Sequence, residues 1–537
     1  MGMKSALLAS AALAAVLVTF PAAAQQQSLE DRVRALEQRL GTTPGEGASL
    51  EERVQAVEER LQQQAEEDQA TRTRLSTLEQ QVADTTWTFD NSRPTVQSAD
   101  GRFSMSVRAR FQFDTALFNQ DSNINATNAQ FKDLASGSIM RRAYLGIEGR
   151  AFRDFWYEYR MDFGGANAEG SNPILNLARI AYNVGNIAYA SEPHFRLNAG
   201  IIQPIFTFED SISSSSVTFL ERASVVTVAT SGYGGLEPRR GVELTFQQAD
   251  IFRPGDNLLV SGAFTGQQPS GNNPAVPTNT TDEGTQILGR AAYRVWSDGF
   301  SNVQFGGSGS NILNVTGAAT PGAARLIALQ DRPELRVDGN RLVSTGGMPS
   351  RGGWLWGLDA EMNIRNFYLA GEYYHFGIER DTTCTSGGGG PGGACIVAGD
   401  PEFSGWYVAA SWILTGQTKT YQPIATNNEM ATFNNPRVIA PFSLGSSWGT
   451  WEIAARYSDL NLNWNAGSPG TLCAGAFIGC IRGGEEKIWT FGLNWYLNNN
   501  VRMLFDYMIV DVDRLNGSGQ QIGQSLNAIG ARLQYTN

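Results

Sequence analysis

The chain has 537 residues, a formal net charge of −11 and only 17% charged residues. Such an acidic chain lacks the basic surface that nucleic-acid binding requires, so a nucleic-acid partner is not expected. Glycine is abundant, at 59 residues, and this composition is typical of a large antiparallel β structure with glycine-rich loops.

The N-terminus has the pattern of a secretory signal peptide. Lys4 supplies a positive charge, the stretch from Ala6 to Phe20 is apolar, and the alanines at 22–24 form a small-residue cleavage site. The apolar stretch is too short for a transmembrane helix and ends at Pro21. We therefore predict a signal peptide over 1–24 and an exported mature chain.

Residues 25–84 carry a heptad pattern. Leucine and valine recur at spacings of four and three, and the segment 28–40 returns as 49–61 with charged flanking positions. This spacing indicates a coiled coil, which we expect to associate with other copies. The alternative is a solvated amphipathic helix that folds back on the β-barrel of its own chain. Gly and Pro residues within 41–47 predict two helices or one interrupted helix.

From Trp87 onward the hydrophobic period is two residues, which predicts β-strands. In the segment 102–114, for example, aromatic and aliphatic residues alternate with arginine, serine and glutamine. The segment 311–350 is left unassigned. The predicted strands are 102–114, 139–150, 155–163, 174–183, 194–203, 239–247, 257–265, 284–296, 301–310, 353–364, 367–377, 403–415, 449–460, two within 489–512, and 523–535.

Short connections alternate with long ones along this series. Residues 365–366 and 498–500 are tight turns, whereas 266–283, 379–402 and 461–486 are long and rich in small residues. Bacterial outer-membrane barrels have this asymmetry, with apolar side chains facing lipid and polar ones facing the lumen. We predict an all-β transmembrane barrel of about 16 antiparallel strands over 85–537. An even strand number places both barrel ends, and with them the coiled coil, in the periplasm.

Four cysteines form two close pairs, Cys384 with Cys395 and Cys473 with Cys480, each within a long connection. Because export leads to an oxidising compartment, two loop disulfides are predicted. Neither histidine has a Cys–His spacing, so no metal site and no cofactor is predicted. Neither lies beside a Gly-x-Ser-x-Gly motif or a similar nucleophile, so no enzymatic activity is predicted.

Short motifs run in order through 87–537, and together they resemble the phosphate-selective porin O and P family. The resemblance implies a trimeric 16-stranded outer-membrane porin, with a constriction loop folded into the lumen, that passes small anions such as phosphate. The motifs are Asp100–Arg110, Ile205–Asp210, Ser216–Arg222, Pro238–Gly241, Leu414–Gly416, Trp451–Ser458 and Trp489–Val512.

By position in this resemblance, the constriction loop runs from about Glu209 to Arg222. Lysines help to form the central anion site in the family, but none of the barrel lysines (Lys132, Lys419 and Lys487) is predicted to point inward. Serine hydroxyls supply donors for an anion instead. The candidate loop residues are Asp210, Ser211, Ser213, Ser214, Ser215 and Ser216.

Arginines on inward faces would favour anions and can grip phosphate in two-point fashion. Each has a second role open to it, because pairing with an inward carboxylate of a neighbouring strand would brace the wall. Arg108 and Arg110 are expected to contact ions. The candidate arginines are Arg108, Arg110, Arg142, Arg160, Arg179, Arg240 and Arg290. The predicted inward carboxylates are Glu148, Glu158, Asp162, Glu243, Glu361, Glu372 and Glu452.

The expected surroundings are outer-membrane lipid and lipopolysaccharide, two further copies of the chain, and small anionic solutes. The coiled coil could also contact peptidoglycan or another envelope component. A second class of function therefore stays open, in which the barrel is mainly an anchor for an envelope tether and conducts weakly or not at all. Ion-selective conductance would support the porin. Loss of wall association on deleting 25–84, without channel activity in the intact protein, would support the tether.

Overall fold

The structure is a computed structural model, and two compact units, Met1–Thr85 and Thr86–Asn537, are described separately. The predicted signal peptide lies outside the described residues. Within the described part of the chain, no helix combines the length and the apolar character needed to cross a membrane. The described residues are 29–41, 48–83, 85–89, 93–120, 132–164, 183–191, 195–235, 238–266, 283–317, 324–381, 399–423, 430–473 and 479–537.

The first unit contains two helices, α1 (Leu29–Leu40) and α2 (Leu50–Ala83). Val33 and Val57, both from the heptad pattern, are buried, and Arg53 Nε donates to Glu37 Oε1 at 2.8 Å. The helices α1 and α2 therefore pack against each other. Farther along α2, Leu75 is exposed.

The second unit is mostly β-strand. Two helices, α3 (Phe208–Ser211) and α4 (Ser224–Tyr233), interrupt the strands. In chain order the strands are β1 (Thr85–Thr88), β2 (Thr95–Ser98), β3 (Ser104–Gln120), β4 (Gly137–Ala151), β5 (Phe155–Asp162), β6 (Asn183–Ser191), β7 (Phe195–Ile202), β8 (Arg239–Ala249), β9 (Asn257–Thr265), β10 (Thr285–Ser297), β11 (Asn302–Asn314), β12 (Leu326–Ile327), β13 (Gln330–Asp331), β14 (Val343–Ser344), β15 (Met348–Ile364), β16 (Phe367–Arg380), β17 (Glu402–Ile413), β18 (Lys419–Gln422), β19 (Thr432–Pro436), β20 (Thr450–Trp464), β21 (Ile481–Tyr496), β22 (Val501–Asp513) and β23 (Ser525–Thr536).

From β3 onward, each long strand pairs antiparallel with the next long strand of the chain, and β23 pairs back onto β3. The hydrogen-bonded order therefore returns to its first strand. The short strands β12 to β14, β18 and β19 lie in connections. Each predicted strand overlaps an observed one, but 174–183 meets β6 only at Asn183, and its other residues lie outside the described ones.

The two faces of this sheet have the polarity expected of a barrel in lipid. Tyr507 and Ile509 of β22 are each 43% exposed, whereas Asp506 on the opposite face is 3% exposed. In β3, Phe111 is exposed and Arg110 is buried. An apolar exposed face with a polar covered face is typical of strands that meet lipid on one side and the lumen on the other. We call the face that carries Arg110 and Asp506 the inner face.

Three connections fold over the inner face: 203–235 between β7 and β8, 324–347 between β11 and β15, and the hairpin β18–β19 between β17 and β20. The apolar side chains of α4 form one buried cluster with 324–347 and with wall residues such as Phe376. The hairpin places Phe433, which is 1% exposed, against Phe208 of the first connection. Much of the inner face is therefore covered by protein.

Candidate functional site

The predicted constriction loop, 209–222, packs on the inner face and is held there through its main chain. Arg222 closes the loop on itself, because its Nε donates to Glu209 O at 3.0 Å and its Nη2 donates to Ile212 O at 2.9 Å. Arg532 of β23 donates from Nη1 to Leu220 O at 2.6 Å. Because arginines of the wall and of the loop itself satisfy these carbonyls, the loop has a defined position.

The serine-rich part of this loop binds Arg110 of β3. The Arg110 guanidinium donates from Nη1 to Ser214 Oγ at 2.5 Å and from Nη2 to Ser213 Oγ at 2.8 Å and Ser215 Oγ at 3.0 Å. Ser213 and Ser215 also share a hydrogen bond of 3.1 Å. Serine hydroxyls and the planar arginine fork therefore meet in one place. One hydroxyl of Ser213 and Ser215 uses its hydrogen in their shared bond, but the other and that of Ser214 can each donate a hydrogen to an oxyanion.

The other predicted loop residues lie away from this contact. Asp210 is fully buried, with Oδ1 at 3.7 Å from the Arg222 guanidinium. Ser211 donates from Oγ to Thr207 O at 2.6 Å, and Ser216 donates from its main-chain N to Ser213 O at 2.7 Å. These residues shape the turn that presents the serines.

Two further arginines join Arg110 around the ring of Tyr144 in β4. The Arg110 Cζ lies 5.5 Å from the ring centroid and the Arg160 Cζ lies 4.6 Å from it, while Arg142 donates from Nε to the Tyr144 hydroxyl at 3.1 Å. Guanidinium groups near an aromatic face gain a modest cation–π attraction. We call Arg110, Arg142, Arg160, Tyr144 and Ser213–Ser215 the arginine–serine cluster.

Two side chains of this cluster are partly exposed, and a carboxylate lies beside one of its arginines. Glu158 lies 3.5 Å from Arg160 and offsets part of the charge, whereas Arg142 donates from Nη1 to the neutral amide oxygen of Gln112 at 2.9 Å. The Arg160 side chain is 14% exposed, and Tyr144 is partly exposed as well. An anion that enters here would meet arginine and hydroxyl donors together.

Arg108 and Arg290 have carboxylate partners instead. Arg108 Nη1 lies 2.9 Å from Glu148 and 3.3 Å from Glu158, two residues that face each other across β4 and β5. Arg290 donates from Nε and Nη2 to both oxygens of Asp359, at 3.1 and 3.2 Å. These contacts are of the wall-bracing kind.

The predicted direction of Arg240 is wrong. In β8, Glu243 lies on the inner face and is 1% exposed. Arg240 lies on the opposite face, together with Val242 and Leu244, which are 47% and 53% exposed. Its neighbour Arg239 is the inward residue. Arg240 lies 3.4 Å from Glu283 at the end of the strand where the long connections lie. Arg179 lies outside the described residues.

The predicted inward carboxylates lie on the inner face and act as anchors. Glu372 accepts from Phe208 N at 3.0 Å and Glu209 N at 2.9 Å, which fixes the start of the constriction loop. Glu243 lies 3.2 Å from Arg196. The others also accept hydrogen bonds from neighbouring protein groups: Asp162 from main-chain N–H groups, Glu361 from Gln304, and Glu452 from Ser411.

A lysine does reach the constriction loop, although it lies in no strand predicted from the hydrophobic period. Lys419 begins the hairpin β18–β19 and is 3% exposed. Its Nζ lies 2.9 Å from Glu452 and donates to Thr218 Oγ1 at 3.3 Å. Strand periodicity assigned no inward position to Lys419, yet its side chain points to the inner face. Glu452 compensates its charge.

Arg141 is a second missed residue. The pairing of β3 with β4 shifts between Gln112 and Phe113, so Arg141 is an extra residue that turns to the covered side. A β-bulge of this kind interrupts strict alternation. Arg141 grips both carboxylate oxygens of Glu221 in the constriction loop, at 2.7 and 3.0 Å. Burial would raise the pKa of Glu221, but Arg141 and Arg532 outweigh it and hold the pKa well below its usual range.

The connection 324–347 contacts the start of α4 and the wall through Glu334. Glu334 Oε1 accepts from Ser224 N at 3.0 Å, and Oε2 lies 2.5 Å from Arg456 Nη2 of the wall. In the same connection, burial raises the pKa of Asp331 to about 6, although Arg336 lies 3.4 Å away.

The predicted disulfide between Cys473 and Cys480 is present. It closes a long connection between β20 and β21. The predicted partner residues Cys384 and Cys395 lie outside the described residues.

An antiparallel sheet that returns to its first strand, with an apolar exposed face and loops folded over a polar inner face, defines a β-barrel porin. The family described as phosphate-selective porin O and P matches residues 105–536. The chain belongs to this family, as its motifs indicated, and is an outer-membrane porin.

Individual relatives are distant. Porin O of Pseudomonas aeruginosa is 22% identical over 461 residues, which cover 82% of this chain and 90% of that protein. An uncharacterized protein of Caulobacter vibrioides is 22% identical over 419 residues, covering 77% of this chain and 70% of its own. Among solved structures, the anion-selective porin from Comamonas acidovorans aligns over 81% of this chain and all of its own, with a TM-score of 0.44 and 11% identity.

Proposed function

We propose that the protein is a 16-stranded outer-membrane channel that conducts small anions, and that oxyanions such as phosphate bind at the arginine–serine cluster. The observation that carries this proposal is the convergence of Arg110, Arg142 and Arg160 around Tyr144, beside three serine hydroxyls. Rings of charge and donors close to the permeant ion are what gives a pore its selectivity.

The route for the ion runs along β3, β4 and β5. On these strands several inner-face side chains are partly exposed, including Ser106, Tyr144, Glu148, Glu158 and Arg160. On β9, β16 and β22, by contrast, the described inner-face side chains are buried beneath the three inward connections. An off-centre passage beside the constriction loop would be narrow, which favours small solutes.

The remaining organisation follows from the same proposal. Residues 1–24 are a signal peptide, 25–84 a periplasmic coiled coil and 85–537 the barrel, which assembles as a homotrimer among outer-membrane lipid and lipopolysaccharide. The long connections 266–283, 379–402 and 461–486 lie at the cell exterior, and the short turns lie at the periplasmic end.

A tether role for the coiled coil is the second candidate. At 34 residues, α2 would be roughly 50 Å long. Leu61 and Leu75 on α2 are 43% and 52% exposed, so the helix offers apolar positions to another helix or to an envelope component such as a peptidoglycan-bound protein. The two roles are compatible in one protein.

Planar-bilayer recording of the purified trimer in a salt gradient tests the channel proposal. The expected reversal potential has the sign of anion selectivity, and added phosphate is expected to reduce the chloride current. Arg160→Gln is the first variant, because Arg160 is partly exposed and makes no described hydrogen bond to the loop. A unit charge interacts with a monovalent ion 4 Å away in water by about 1 kcal/mol. Loss of the Arg160 charge should therefore lower the anion-to-cation permeability ratio by about fivefold.

Arg351→Gln is the matched control. Arg351 is 64% exposed and pairs with Glu379 at 3.5 Å, so the same loss of charge occurs away from the inner face. It should leave the permeability ratio unchanged. A cation-selective wild-type channel, or equal effects of the two variants, would contradict the proposal. Absence of conductance together with loss of wall association on deleting 25–84 would favour the tether.

A further inference from the structure

The segment 93–98, which precedes β3, runs beside the first residues of β3. β23 pairs with β3 only from Arg110 to Gln120, which leaves the edge of residues 104–109 open on that side. β2 takes this edge, with Thr95 opposite Ser106, and Val107 N donates to Pro94 O at 3.1 Å. Because an open strand edge offers unpaired main-chain groups, this pairing fixes the segment at the end where the short turns lie.

Arg93 extends from this segment toward the inner face. Its Nη1 donates to the Glu148 carboxylate, and its Nη2 donates to Asn537 O at 2.9 Å. Asn537 itself accepts through Oδ1 from Ala109 N at 2.6 Å. Arg93 therefore links the segment before β3, the residue that follows β23, and Glu148 of β4.

A small cavity lies at the same place. It has a volume of about 70 Å³ and is lined by Ser104, Ser106, Glu148, Trp156 and Glu158. This volume exceeds the minimum that one water molecule needs, and hydroxyl and carboxylate groups can hydrogen-bond water there. The cavity lies on the route proposed above, between the arginine–serine cluster and the short-turn end.

The charges around this cavity are uneven. Two carboxylates, Glu148 and Glu158, face Arg93, Arg108 and Arg160, and Arg150 stacks over Trp156 at 4.3 Å. The arginines differ in accessibility, because the side chain of Arg93 is 30% exposed whereas that of Arg108 is 10% exposed. Arg93 is thus the more accessible positive charge for an ion that passes the cavity.

We propose that Arg93, which lies outside the barrel strands, is a selectivity-determining residue at the short-turn mouth of the channel, and that Glu148 opposes it. This inference rests on the proposed channel function. A guanidinium placed over the mouth raises the local concentration of anions, and the carboxylate beneath it limits this effect. Arg93 would therefore make the segment that precedes β3 a part of the conduction path.

A purely structural role for Arg93 is the alternative, in which it only holds the segment in place. The two roles differ in the direction of their effects. If Arg93 acts on ions, Arg93→Gln lowers the anion-to-cation permeability ratio and Glu148→Gln raises it. If the contact only holds the segment, both variants loosen the same contact and shift the ratio in the same direction or not at all.

The experiment measures reversal potentials of full-length trimers in a potassium chloride gradient, after heat-modifiability on gels has shown that each variant is folded. We expect Arg93→Gln to lower the ratio by about twofold or more, Glu148→Gln to raise it, and Arg93→Lys to preserve it, since mouth charge governs local ion concentration. Arg102→Gln is the matched control, because Arg102 is 56% exposed and pairs with Asp100 near the same end.

An unchanged ratio in Arg93→Gln, or shifts of equal sign in Arg93→Gln and Glu148→Gln, would overturn the inference. Its failure is separable from failure of the proposed function. If wild type selects anions and Arg93→Gln has the same permeability ratio, only the role of Arg93 is refuted. A wild-type channel without anion selectivity refutes the proposed function, and opposite shifts in the two variants would still support the role of Arg93.

Discussion

Arginine side chains on the inner face differ in what they bind. Arg108 and Arg290 bind carboxylates of neighbouring strands, whereas Arg110 binds three serine hydroxyls of the constriction loop. Strand periodicity predicts that such residues point inward, because alternation depends only on the local backbone. Their partners depend on the register between strands and on where the loops fold, which a single sequence does not specify.

Two arginines mark where periodicity fails as a guide. Arg240 sits at the very start of β8, where a one-residue error in phase reverses the face. Arg141 turns inward because a bulge inserts it between two paired residues. A bulge has no clear signature in the alternation around Arg141, so the contact of Arg141 with the loop was not predictable.

Replacing Arg110 by lysine tests the arginine fork itself. Lysine keeps the positive charge but offers a single ammonium in place of the planar fork that reaches three serines. We expect the sign of selectivity to persist, while the phosphate concentration that halves the chloride current rises by about tenfold, the equivalent of about 1.4 kcal/mol. Arg351→Lys is the control. Unchanged phosphate block in Arg110→Lys would show that the fork is not the anion contact.

Replacing Glu221 by glutamine should destabilise the barrel. Glu221 accepts from Arg141 and Arg532, and its loss leaves two buried guanidinium groups without that partner, at a cost of about 3–5 kcal/mol. The free energy of unfolding in denaturant measures this. Asp100→Asn, in an exposed pair with Arg102, is the control and should have a much smaller effect.

The lowered pKa of Glu221 gives the same residue a pH dependence. Because the pKa is lower in the folded state, its stabilisation is complete above the ordinary value of 4.5 and is lost as the pH falls below it. On acidification from about pH 6 to about pH 3, wild type should therefore lose more stability than Glu221→Gln. Parallel pH profiles of the two proteins would contradict this assignment.

At the scale of elements, the strands follow from the sequence and the inward connections do not. Alternation located the wall strands, apart from β6. The hairpin β18–β19 has strands of only four and five residues, and its position depends on Phe433 meeting Phe208, Tyr368 and Tyr421. Such contacts between distant segments leave no periodic signal in the sequence. The connections that fold over the inner face were therefore not predictable.

Phe433→Ala tests the part that the hairpin plays in narrowing the channel. Removing a buried phenylalanine costs about 3–5 kcal/mol, which here should loosen the hairpin rather than the wall. We expect a larger and noisier single-channel conductance. Phe252→Ala is the matched control, since Phe252 is 75% exposed in a short turn. Equal conductance in the two variants would show that the hairpin does not limit the pore.

Asp331 gives the connection 324–347 a pH-sensitive position. Because burial raises its pKa to about 6, the protonated form is favoured while the connection is docked. Docking should therefore be favoured below about pH 6 and weakened as the pH rises through this value. As the pH rises from about 5 to about 7.5, open-channel current noise should increase in wild type but not in Asp331→Asn. Equal pH dependence in both would contradict this role.

At the scale of the whole molecule, the sheet of the second unit has polar and charged side chains on its inner face and apolar side chains on its exposed face. The sequence predicted this arrangement because lipid-facing aromatics alternate with charged residues in many successive strands. It did not predict how little of the interior is open, since the apolar residues of α4 and 324–347 read as ordinary loop or unassigned segments. Under the proposed function, the space that these segments leave beside the strands limits which solutes pass.

The reversal potential of the purified protein in a salt gradient tests the central claim most directly. We predict the sign of anion selectivity in wild type and a marked loss of it in the combined variant Arg110→Gln, Arg142→Gln and Arg160→Gln. A wild-type channel that prefers cations, or a combined variant as anion-selective as wild type, would contradict the claim that the arginine–serine cluster determines what the channel conducts.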